Sequence, residues 1–211
     1  MKTCDTAIIL AGGKSKRMGF DKQFISVDNM YLIDKIIEIL KKEFKQIIII
    51  SNTPHIYKDR YDEVYIDSIK NVGPLGGIYT GLSHSKSKYN YIIACDMPCI
   101  NIDYINYMKQ LLSESNESDA IITRYKNWIE PFNAIYSKSL INDLKAYLKT
   151  NKRSINLFLE LVNVKYIDED IARQYSYNWN MFRNINDLKE LKKFCKEGTD
   201  CQLLTTEVAS L

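Results

Sequence analysis

Apolar residues come in short blocks separated by polar punctuation along most of the chain. Ala7 to Ala11 is an unbroken apolar run that stops at Gly12-Gly13, and Ile47 to Ile50 is a block of consecutive isoleucines closed by Asn52-Thr53-Pro54. Runs of this kind predict strands over 5–11 and 46–51 that are buried on both faces, as inside a parallel sheet. Further strands are expected over 63–67, 89–95, 120–123, 132–136, 163–167 and 179–184. Between them the spacing becomes helical: Leu32, Ile36, Ile39, Leu40 and Phe44 share one face of 31–44, with Lys35, Glu38, Lys41 and Lys42 opposite. Other helices are expected after 71–77 and over 102–112, 139–148, 154–161 and 187–195. Strand and helix alternating in this way predict an α/β fold, a three-layer α/β/α Rossmann-like sandwich around a mostly parallel mixed sheet.

Ligands in such sheets bind beyond the carboxyl ends of the strands. Here those ends carry Gly12-Gly13, Ser51-Asn52, Asp67 and Asp96. The loop after the first strand holds Lys14, Lys16, Arg17 and Lys22 against a single acid, Asp21. Glycines admit an oxyanion close to backbone N–H groups, and the cations neutralise it, so the stretch reads as a polyphosphate cradle or, more plainly, as a basic surface loop. It matches neither G-x-G-x-x-G nor a P-loop. Asp96 directly follows an apolar strand and precedes Pro98, a place that suits a hard oxygen ligand to Mg²⁺ or a turn-capping carboxylate. Gly73-Pro74-Leu75-Gly76-Gly77 offers bare backbone to a ring or sugar, or else a simple turn into a helix. Asp67 would accept hydrogen bonds from a base or ribose, or stand as an exposed strand-end acid.

Length and composition narrow the class without naming it. The 211 residues, 45% hydrophobic and 26% charged, suit one domain over 1–197. The tail 198–211 shows neither period and is expected to be loosely ordered. A net charge of +3 is too small to argue for nucleic acid. No apolar segment nears the roughly 20 residues that cross a bilayer, and no secretory leader is visible. Five cysteines without paired spacing point to reduced thiols and a cytoplasmic protein. His55 and His84 lack partners at catalytic spacing, which leaves nucleophilic catalysis little support.

Leu10-Ala-Gly-Gly-x-Ser-x-Arg-Met-Gly-x-Asp-Lys22, Gly73-Pro-Leu-Gly-Gly with Gly81-Leu82, and Cys95-Asp-Met-Pro98 together resemble the molybdenum cofactor guanylyltransferases, nucleotidyltransferases of the nucleotide-sugar-pyrophosphorylase type. Glu130-Pro131 and Arg153 are similar to later segments of that family, and the likeness spans roughly 5–195. The Leu-Ala-Gly-Gly form resembles the guanylyl branch more than the cytidylyl one, which tends to read Leu-Ala-Ala-Gly. The resemblance implies a nucleotidyltransferase fold and GTP binding by Leu10, Ala11, Gly12, Gly13, Lys22, Asp67, Gly76 and Asp96. It implies Mg²⁺ on Asp96, with Arg17, Lys22 and Asp96 as the catalytic groups. GMP would pass from GTP to the terminal phosphate of the molybdopterin cofactor, with molybdenum-insertion and molybdoenzyme maturation proteins as further partners. One departure is plain: the family's Asn-x-Asn-Thr-Pro is replaced by Asn184-Ile185-Asn186-Asp187, so Asn184 and Asn186 receive no role. Transfer of CMP to molybdopterin, transfer of a nucleotide to a phospho-sugar, and a non-catalytic nucleotide-binding adaptor are the rival readings.

Overall fold

The computed structural model describes residues 4–12, 26–27, 30–69, 71–114, 117–185 and 190. In chain order the elements are β1 (Thr6–Leu10), β2 (Ser26–Val27), β3 (Met30–Tyr31), α1 (Leu32–Leu40), β4 (Gln46–Ile50), β5 (Val64–Tyr65), α2 (Pro74–His84), β6 (Tyr89–Ala94) and α3 (Ile102–Glu114). There follow β7 (Ala120–Tyr125), β8 (Trp128–Ser137), α4 (Ile141–Lys149), α5 (Ile155–Leu159), β9 (Val164–Ile167) and α6 (Glu169–Tyr175).

Seven strands form one sheet in the order β5-β4-β1-β6-β8-β7-β9, and β2 pairs with β3 separately. β4, β5 and β6 join β1 in parallel register, and β9 is parallel to β7, whereas β8 runs against both its neighbours. The central strands end level, with Leu10 beside both Ile50 and Ala94. This is the expected mostly parallel mixed sheet.

Strand alternation sends successive side chains into two separate cores. Ala7, Ile9, Ile49, Tyr91, Ile93 and Ile135 face the helices α1, α3 and α6. Ile8, Leu10, Ile48, Ile50, Ile92 and Ala134 face α2, α4 and α5. Burial on both sides is why these strands read as continuous apolar runs instead of alternating ones. α1 buries Leu32, Ile33, Ile36, Ile37, Ile39 and Leu40 on its sheet side. At α3, Asn101 Oδ1 accepts the Tyr104 N–H at 2.9 Å and its amide donates to the Tyr175 carbonyl at 2.8 Å, which caps one helix and ties it to α6.

The structure departs from the sequence expectations in four places. The stretch 179–184 is a short 3₁₀ turn over Asn180–Phe182, entered through Trp179 in the left-handed region at φ 63°. α6 was not anticipated, because its seven residues bury only Ala172 fully. The helix after Gly73 begins at Pro74, so Gly76 and Gly77 belong to its first turn and not to a loop. Cys4 and Cys95 carry reduced thiols, but Cys99 is disulfide-bonded, so the expectation of five reduced thiols fails there. The basic residues Lys14, Lys16, Arg17 and Lys22, together with Gly13, Asp21, most of the expected helix 187–195 and the tail 198–211, lie outside the described residues. Among the described residues no helix is long and apolar enough to cross a membrane.

Candidate functional site

The described candidate residues gather along one edge of the sheet, the carboxyl ends of β5, β4, β1 and β6. Hydrogen bonds carry the parallel ladder just past each strand. Ala11 N–H donates to the Ile50 carbonyl at 2.8 Å, Cys95 N–H to Leu10 at 3.1 Å, and Ser51 N–H to Tyr65 at 3.0 Å. These bonds fix the starts of the loops. Gly12 emerges exposed at the tip of β1. A Cβ built on it would stand 3.3 Å from Asn52 Nδ2, so the tips of β1 and β4 approach closely through a glycine and an amide.

Asp67 closes the crevice on the β5 side. Its Oδ1 accepts the Ile69 N–H at 3.0 Å and shares the Thr80 hydroxyl proton, at 3.4 Å, with Ser68 Oγ at 3.1 Å. Thr80 is fully buried, and its oxygen in turn accepts the Ser68 N–H at 3.0 Å. Oδ2 makes no hydrogen bond among the described residues, which leaves one oxygen of a braced carboxylate open to a ligand. Burial raises the pKa of Asp67, against the lowering effect of the Ile69 and Thr80 bonds.

Glycines set how closely α2 approaches this edge. At the N-cap, Gly73 sits at φ 69°, a conformation that side chains resist, and Pro74 then starts the helix. A Cβ at Gly76 would lie 2.7 Å from Asp67 Oδ1 and 2.7 Å from Val72 Cγ2, and one at Gly77 would lie 3.0 Å from Leu10 Cδ2. Both glycines are buried and press the helix N-terminus onto Asp67 and β1.

Asp96 occupies the turn after β6, partly exposed, beside the tip of β1. Its carbonyl accepts the Ile185 N–H at 2.7 Å, so 179–185 is strung across the top of β6. Among the described residues no group of three or more His, Cys, Asp or Glu converges. Among the described residues a divalent cation at this edge would therefore rest on one or two carboxylates, with water and ligand oxygens completing the shell, an arrangement that suits Mg²⁺. Asp96 has the chemistry and the position for it.

The structure thus brings together Leu10, Ala11, Gly12, Asp67, Gly76 and Asp96. Gly13, Arg17 and Lys22 lie outside the described residues. Sequence reasoning missed Thr80, whose only signal was a hydroxyl among the apolar positions Leu75, Ile78 and Leu82 of α2. A separate depression of about 440 Å³ is lined by Arg124, Lys126, Asp168, Glu169, Asp170 and Arg173. Arg124 pairs with Asp168 and Arg173 with Glu169 there, and the depression lies on the β7 side, away from the tips of β1 and β4.

A family model for the MobA-like NTP transferase domain matches residues 7–164, from the first strand to the start of β9. The chain belongs to the MobA-like NTP transferase family. Members are nucleotidyltransferases, and the strand-tip crevice is where this chain's polar groups converge. A molybdenum cofactor guanylyltransferase of Syntrophotalea carbinolica is 47% identical over 193 residues, covering 92% of this chain and 91% of that protein. A probable molybdenum cofactor guanylyltransferase of Peptoclostridium acidaminophilum is 44% identical, with coverages of 92% and 89%. Among solved structures, molybdopterin-guanine dinucleotide biosynthesis protein A from Archaeoglobus fulgidus superposes with a TM-score of 0.78 at 25% identity, over 91% of this chain and 99% of that one. The expected nucleotidyltransferase fold is therefore the observed one.

Proposed function

We propose that this MobA-like transferase moves GMP from GTP to the terminal phosphate of the molybdenum-molybdopterin cofactor, yielding the guanine dinucleotide form and pyrophosphate. The observation that carries the reading is the 47% identity, over nine tenths of both chains, to a molybdenum cofactor guanylyltransferase. The crevice at the strand tips supports it. An oxygen of the acceptor's terminal phosphate attacks the α-phosphorus of GTP. The new P–O–P linkage forms as the bond to the β-phosphate oxygen breaks, and pyrophosphate leaves with that electron pair. The attacking oxygen is already anionic, so no general base is needed.

The protein's part is then position and charge. Leu10, Ala11, Gly12 and Gly13 would bring backbone against the nucleotide, with Gly76 on α2 acting through Asp67, which packs against it. Asp67 would accept hydrogen bonds from the nucleoside through its open Oδ2. Arg17 and Lys22 would neutralise the polyphosphate, and Asp96 would hold Mg²⁺. That ion, when bound, draws charge from the phosphate oxygens. Pyrophosphate release from GTP, CTP, ATP and UTP, each with Mg²⁺ and molybdopterin cofactor, tests the reading. A clear preference for GTP is expected. Preference for CTP, or nucleotide binding without pyrophosphate release, would overturn it.

A further inference from the structure

Glu130, at the start of β8, is a carboxylate that the phosphate chemistry leaves unused. β8 runs against β6 with Ala134 opposite Ile92, so residues before Ala134 extend past that pair toward the end of the sheet that carries Asp96. Glu130 pairs there with Thr123 of β7. The segment 176–185 is tied to the same edge: Asn133 donates to the Met181 carbonyl at 3.2 Å, and Ile185 reaches Asp96. The Trp179 indole N–H donates to Glu130 Oε1 at 3.2 Å.

The indole is itself locked. Its ring lies 5.0 Å from Tyr125 and 4.7 Å from Phe182, with the Arg173 guanidinium 5.2 Å away. One oxygen of Glu130 is therefore held at a fixed place by an immobile donor. Oε2 makes no hydrogen bond among the described residues, although the side chain is only partly exposed. Partial burial of a carboxylate with only one oxygen bonded is unfavourable, and a ligand with N–H donors would offset that cost. Burial raises the pKa of Glu130, with the Trp179 bond acting in the opposite direction.

The nucleotide is assigned to the flank formed by the tips of β5, β4 and β1. In an in-line displacement the acceptor enters opposite the leaving group. The flank left for it is the one between β6 and β8, where Glu130 stands. We propose that Glu130, braced by Trp179, is the subsite for the acceptor's heterocycle and takes the adjacent ring N–H and exocyclic amine of a 2-amino-4-oxopyrimidine edge, as a pterin presents. Each carboxylate oxygen has two lone pairs, so Oε1 accepts from Trp179 and the ligand together while Oε2 takes the second donor. The assignment rests on the guanylyl-transfer reading above.

Two measurements on Glu130→Gln test it. The first is steady-state transfer with molybdopterin cofactor as acceptor: KM for the acceptor should rise at least tenfold while KM for GTP stays within twofold. The second uses a Trp128→Phe background, in which Trp179 is the sole tryptophan of the original two. Titration with 6-hydroxymethylpterin phosphate should quench its emission saturably, with at least tenfold weaker affinity once Glu130→Gln is added. Equal acceptor KM, or equal quenching affinity with and without the substitution, overturns the assignment. Absence of saturable quenching in the Trp128→Phe protein overturns it as well. Failure of the Glu130 protein itself to guanylylate the cofactor would instead strike the underlying reading.

Discussion

One added methyl, placed at two positions of α2, separates the crevice from its scaffold. A Cβ at Gly81 would meet Ile8 Cγ2 at 2.5 Å, and Ile8 is fully buried in the central strand. Helix and strand must part there, at an overpacking cost of about 1–3 kcal/mol. At Gly76 the new Cβ would meet Asp67 Oδ1 at 2.7 Å and Oδ2 at 2.8 Å. A short carboxylate side chain can turn aside, giving up bonds from Ile69 and Thr80 to a charged group, worth about 1.5–3 kcal/mol for a well-formed one and less for the 3.4 Å contact. In both cases the helix propensity of Ala over Gly returns up to about 1 kcal/mol. Gly81→Ala should therefore lower stability by about 1–2 kcal/mol, roughly 2–8 °C in Tm for a chain of this size. Its GTP affinity should not change. Gly76→Ala should lose a similar or larger amount of stability and also move the acceptor oxygen of Asp67. A hydrogen bond to a charged group is worth about 1.5–3 kcal/mol, so GTP should bind roughly 10- to 100-fold more weakly. Calorimetric titration of GTP with Mg²⁺, paired with thermal scans, reads both quantities. GTP affinity within twofold of normal in Gly76→Ala, or an equal loss in Gly81→Ala, would refute the reasoning.

Other outcomes follow from the site geometry or, for Lys22, from the proposed nucleotidyl transfer. Asp96→Ala should abolish pyrophosphate release while leaving Tm nearly unchanged, and Mg²⁺-dependent turnover in that variant would remove the metal assignment. Lys22→Ala should depress kcat even at saturating GTP, and an unaltered kcat would argue against its phosphate role. Thr80→Val removes the hydroxyl that braces Asp67 and Ser68, so KM for GTP should rise several-fold at constant kcat, with Thr80→Ser restoring it; equal KM values would deny Thr80 a positioning role. Because the folded pKa of Glu130 is raised by burial, the folded state holds that proton more tightly than the unfolded chain does. Its contribution to stability is full below the unfolded value of about 4.3 and falls as pH climbs through the higher folded pKa. Urea midpoints of the Glu130 protein and Glu130→Gln across that range should diverge in favour of the variant as pH rises, and parallel curves would contradict this.

The sheet was legible wherever burial on both faces removed polar alternation, as in β1, β4 and β6. β8 was harder, because Pro131 argues against a strand interior. The ladder from β8 to β7 shifts register between Ile121 and Thr123, and Asn133 sits at φ 56°, so the proline falls where pairing is already irregular. The stretch 179–184 mixes apolar and polar residues as short strands do, yet its conformation is set by distant partners, Glu130, Asn133 and Asp96, which no local pattern reveals. Candidate residues at strand tips could be placed along one edge because loops after parallel strands line the crevice. Gly76 was placed there for the space it leaves, and the structure adds that this space is filled by Asp67.

The reversed direction of β8 has an architectural consequence. Every parallel strand can offer the cleft only what comes after it, whereas an inverted one delivers the residues that come before it. A chain built on this plan can therefore present new side chains to the cleft by editing the hairpin ahead of β8, without disturbing the turns after β1, β4 and β6.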